Sequence, residues 1–117
     1  MSEGNPIAGG SYVGQSVESQ RHIQDLRQRL IERSALDANE LERRLEEFAS
    51  TGVMPQRDLT RRIAHRMVGA AAILGFPDLS AAAEKLMNAI GSETEAEPVR
   101  IAYAIKTLIE AIRSLSP

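Results

Sequence analysis

Apolar residues along this chain recur at three- and four-residue spacing, the period of an amphipathic α-helix. Over residues 16–35, Ile23, Leu26 and Leu30 share one side, with charges between them. Over 38–50 the stripe is Leu41, Leu45 and Phe48. Asp37 is placed to cap that segment, with Glu40 three residues on as in a capping box. Gly52 and Pro55 end it. A further segment spans 56–74, with Gly75 as its stop. The next starts at Pro77, a residue favoured in a first helical turn, and runs to Ile90 before Gly91. After a polar loop, residues 98–114 put Ile101, Ile105, Leu108 and Ile112 on one face, with Leu115 continuing it. Residues 1–15 are rich in Gly and Ser, show no period and read as a flexible leader.

Strand alternation is missing throughout, and the good helix formers Ala, Leu, Glu and Arg dominate. Short connections favour neighbours that run in opposite directions. The expected architecture is therefore all-α: an antiparallel up-and-down four-helix bundle built from residue 38 onward. Segment 16–35 is expected as an additional N-terminal helix across it. The folded domain is expected to be 16–117, after the 1–15 leader.

Composition narrows the function classes. The chain has 117 residues, the size of one domain. With a net charge of -2 and 3% aromatic residues, it has neither the basic surface nor the stacking rings of a nucleic-acid binder. It has no cysteine, so disulfides and thiolate metal sites are excluded. The longest apolar stretch runs from Met67 to Phe76. A membrane helix requires an uninterrupted apolar run almost twice as long. The N-terminus lacks the basic start and hydrophobic block of a secretory signal. A cytoplasmic, free-standing monomer is the expectation.

Of the two histidines, His65 stands out. On a helical wheel Leu59, Ile63, Met67, Ala70 and Leu74 share an arc of about 80°, and His65 lies about 160° from its middle. A histidine among apolar helical residues is most often a core residue, and the wheel argues against that here. Arg61 and Arg62 lie one turn before it, Arg66 follows it, and Gly69 lies one turn after. A mid-helix glycine costs about 1 kcal/mol relative to alanine, so Gly69 needs a reason, and clearing space beside an exposed nucleophile is one. Guanidinium groups suit phosphate oxygens. A neutral imidazole offers one ring nitrogen as nucleophile, and attack on phosphorus gives a phosphoramidate that can be passed on. Val68, with Ala64 and Ala72, has two readings: an apolar rim where a partner docks, or a residue covered by a neighbouring helix.

The run Ala64-His65-Arg66-Met67-Val68-Gly69-Ala70-Ala71-Ala72-Ile73-Leu74-Gly75 resembles the central signature of histidine-containing phosphotransfer (HPt) domains, A-H-x-L-K-G-(small)-(small)-x-x-(apolar)-G. The stretch from Pro77 to Leu86 is similar to that family's next helix. The match covers about residues 61–90. The resemblance implies a four-helix core with His65 as phosphoacceptor. It also implies exchange of phosphate with response-regulator receiver domains, supplied by a hybrid or sensor histidine kinase. Arg61, Arg62, Arg66 and Gly69 are then the phosphate-supporting residues, and Ala64, Val68 and Ala72 the docking ones. The protein is expected to be a phosphocarrier with no ATP site and no cofactor of its own, the receiver supplying Mg²⁺. No G-x-x-x-x-G-K-[ST] loop is present.

The sequence departs from the family pattern at two positions. Val68 stands where the family usually has lysine, with Arg66 or Arg62 as the substitute charge. Met87 aligns with a helix position that is often polar. These departures leave open an alternative, a non-catalytic HPt-like adaptor that binds a response regulator without accepting phosphate.

The remaining charged features have plainer readings. His22 reads as a surface residue. Residues 40–47 read as a solvated face with local ion pairs. Residues 93–97 read as a solvated acidic turn.

Overall fold

The stop signals at Gly52, Gly75 and Gly91 all take effect. In the computed structural model, which describes residues 4–91 and 97–116 and their side chains from Val17 onward, the chain forms α1 (Gly4–Thr51), α2 (Arg57–Leu74), α3 (Pro77–Ile90) and α4 (Glu97–Arg113). Gly52 and Gly75 hold left-handed backbone at φ 77° and 84°. A side chain is strained in that conformation. Pro77 occupies the first turn of α3 as expected.

The helices pack as a closed ring. α2 lies beside α3, α3 beside α4, α4 beside α1 and α1 beside α2. Between them sits one apolar core. α4 contributes Ile101, Ile105, Leu108 and Ile112, all on the face expected from its spacing. Leu79 and Leu86 enter from α3, Leu41 from α1, and Met54 from the connection after it. Contacts pair Arg44 of α1 with Gln56, Asp37 with Arg66, and Arg27 with Phe76.

Three expectations about the N-terminal part are corrected. The chain has four helices among the described residues, because segments 16–35 and 38–50 are one 48-residue helix. Residues 35–38 are Ala-Leu-Asp-Ala and contain no breaker. Propagation across them therefore adds a hydrogen bond per residue without a new nucleus. Asp37 caps nothing. It lies within α1, and its carboxylate accepts from Arg66 of α2 instead. The backbone of residues 4–15, read as leader, belongs to the same helix, while residues 1–3 lie outside the described residues. With 48 residues against 18, α1 is well over twice as long as α2. Its residues 17–25 are all exposed, so this end projects past the bundle.

Two charged stretches also differ from their readings. Arg44, placed by sequence on a solvated face, is 5% exposed. Its guanidinium donates to the Glu40 carbonyl and to Gln56 Oε1. Glu97, read as part of a solvated turn, is buried as the first residue of α4 and ion-pairs with Arg57. Residues 93–96 of that turn lie outside the described residues.

Candidate functional site

α2 carries the site, and its orientation is set by which side is buried. The enclosed positions are Thr60, Ala64, Met67 and Ala71. This side is rotated by about 70° from the arc of larger side chains read from the sequence. Leu59 is 46% exposed, while Ile63, Ala70 and Leu74 are only partly buried. The buried side of α2 is mostly small because two helices flank it, and short side chains let helices approach.

His65 remains outside. Its side chain is exposed. On the helical period it stands about 130° from the middle of the buried side. With Asp58, Arg61 and Arg62 it lines a shallow hollow on the surface of α2. Asp58 occupies the first turn, where a carboxylate complements the helix dipole. Arg61 and Arg62 have no ion-pair partner among the described residues, so both guanidinium groups are available to an anion at the imidazole.

Gly69 leaves the space one turn beyond His65 open. A Cβ placed there meets no heavy atom within 4 Å. The glycine is therefore required by nothing inside the chain, and φ does not demand it. Its helical cost stands without an internal reason.

The other residues singled out from sequence divide. Ala64 does not belong to an exposed rim, since it is fully buried in the core. The corrected rotation of α2 explains this, because position 64 faces the bundle once Thr60 and Ala71 do. Val68 is partly buried against the core, and the Ser80 hydroxyl of α3 donates to its carbonyl at 3.0 Å. This is the covered reading of that residue. Ala72 is exposed on the His65 side. Arg66 is not free beside the histidine, because it ion-pairs with Asp37 of α1. Met87 is partly buried against the core. His22 is exposed on the projecting end of α1.

Two residues were missed by sequence reasoning. Ile73 is 85% exposed, two turns past His65 and beyond Gly69. Its signal was its place outside the main apolar arc. Asp37 was assigned to a helix start, and no local signal could have paired it with a residue 29 positions away.

The described part of the molecule is thus all-helical and offers a partner an exposed imidazole between two free guanidinium groups. A scan of family models matches residues 16–115 to the Hpt domain. The chain belongs to that family, whose members are phosphocarrier modules of two-component signalling and interact with histidine kinases and receiver domains. Searches of curated proteins and of solved structures found no match. No helix among the described residues is long and apolar enough to cross a membrane.

Proposed function

We propose that the protein is a phosphorelay intermediate that moves a phosphoryl group between receiver aspartates through His65. The observation that carries this reading is the exposed imidazole with Arg61 and Arg62 beside it and open space at Gly69. In the uptake step one ring nitrogen attacks the phosphorus of an aspartyl phosphate. The N–P bond forms as the P–O bond to the aspartate breaks. The aspartate leaves as a carboxylate with the bonding pair, and the other ring nitrogen keeps its hydrogen. Such transfer depends on positioning and on charge stabilisation. Arg61 and Arg62 supply the positive charge from this chain, and the receiver brings Mg²⁺ and its acidic pocket.

The antiparallel up-and-down arrangement suits this role. It is supported by the pairing of Arg44, Asp37 and Arg27 with Gln56, Arg66 and Phe76, which descends one helix as it climbs the other. A bundle of that kind holds His65 midway along a rigid rod. The docking surface is assigned to Ala72 and Ile73, in place of a rim that includes Ala64 and Val68.

Incubation with a phosphorylated receiver is expected to move label onto the protein as an acid-labile, base-stable phosphate. Receiver binding with no transferred label would refute the relay.

Gly69→Leu separates clearance from stability. The first carbon of the leucine side chain enters open space at an exposed position and the substitution removes the helical cost of glycine, so stability rises by about 0.5–1 kcal/mol. The same side chain blocks close approach of a receiver, and transfer slows on the order of 100-fold. Denaturant titration and rapid-quench transfer kinetics read the two effects. Unchanged transfer would show that Gly69 clears nothing.

A further inference from the structure

Of the arginines around His65, Arg66 is the one already engaged. It is the next residue in the chain, about 100° round the helix, so its side chain leaves toward α1 and only its long, flexible end can turn back toward a group carried on His65. It is held instead by Asp37, whose side chain is 12% exposed against 42% for Arg66. Asp37 sits in the interior of α1, where it caps nothing.

A phosphoryl group on His65 changes the balance of charge at this point. It places a dianion within reach of a guanidinium that has several donors and is partly open to solvent. A third arginine on that group would stabilise the phosphorylated ground state. A carrier that binds its cargo too firmly passes it on slowly, because ground-state stabilisation raises the barrier to departure. We infer that Asp37 is a positioning residue for the relay: by holding Arg66 against α1 it keeps that guanidinium off the phosphoryl group and keeps phospho-His65 labile. This rests on His65 being the phosphoacceptor.

The test loads the protein with phosphoramidate, a small-molecule phosphoryl donor, so that no receiver is needed. The half-life of phospho-His65 is then followed in buffer. In this decay water adds to phosphorus, the N–P bond breaks, the ring nitrogen regains a proton and inorganic phosphate departs. Asp37→Asn keeps the shape of the side chain but removes its charge. It is expected to lengthen the half-life about 1.5- to fivefold, the range for a partly exposed charge contact. Arg66→Gln and the double variant are expected to match each other, with no lengthening. A purely structural clamp between α1 and α2 would lower thermal stability and leave the half-life alone.

An unchanged half-life in Asp37→Asn overturns the inference, as does lengthening that persists when Arg66 is also replaced. Failure of the wild-type protein to take label at His65 overturns both this inference and the relay. Loaded protein that passes no label to a receiver overturns the relay alone, and the half-lives still decide the role of Asp37.

Discussion

Replacing His65 with glutamine is expected to reduce phosphoryl uptake from a receiver to background. Glutamine keeps polarity and approximate length but has no nucleophilic ring nitrogen, so the N–P bond cannot form. The loss is confined to chemistry. His65 is exposed and makes no contact that the core depends on. Surface substitutions of that kind change stability by about 0.5 kcal/mol or less. Circular dichroism and the denaturant midpoint should match the wild type while autoradiography shows no transferred label. Label retained on His65→Gln would move the phosphoacceptor elsewhere. Arg61→Ala and Arg62→Ala are expected to slow uptake without abolishing it, because each leaves the other guanidinium at the hollow.

Ala64→Glu is expected to unfold the protein, while Ala72→Glu leaves it folded. The two alanines stand on either side of His65 in sequence and share small size, yet their surroundings are opposite. Ala64 is 0% exposed, and Ala72 lies open on the histidine side. An unpaired carboxylate forced into the core costs several kcal/mol, and overpacking adds to it. That loss takes most of the roughly 5–15 kcal/mol by which a typical domain is stable. At position 72 the carboxylate stays in water. Stability there should change by about 0.5 kcal/mol or less, while docking of an acidic receiver pocket weakens through like-charge repulsion. Urea denaturation of both variants checks the contrast. A folded Ala64→Glu protein with a wild-type midpoint would contradict the buried orientation of α2.

Much of the fold was legible because its signals are local. Pro77 and Gly91 bracket α3 at the expected residues, and Gly75 ends α2. The isoleucine and leucine spacing of α4 marked its buried face correctly. Each of these depends on a few neighbouring residues and on the helical period. The break expected near Asp37 failed for the converse reason. A capping pattern looks the same whether its aspartate starts a helix or sits inside one, and the choice was made by Arg66 on another helix.

The buried side of α2 was misjudged because side-chain size was used as the guide. Leu59, Ile63 and Leu74 are larger than Thr60, Ala64 and Ala71, and they dominate a wheel. The smaller set is the enclosed one, since the helices flanking α2 determine which side is covered. His65 survived this error because it lies far from both arcs. Ile73 borders the arc of large residues, and turning the helix to bury the small set carries it out to solvent.

The sequence by itself determined that this chain is helical, where most of its helices stop, and that His65 with Arg61 and Arg62 points away from the interior. Those properties follow from backbone preference and the helical period, which act within a few turns. Only the tertiary structure decided that Ala64 is core and that Arg66 is held by Asp37. Each of these depends on which distant residues meet, and packing settles that rather than any local pattern.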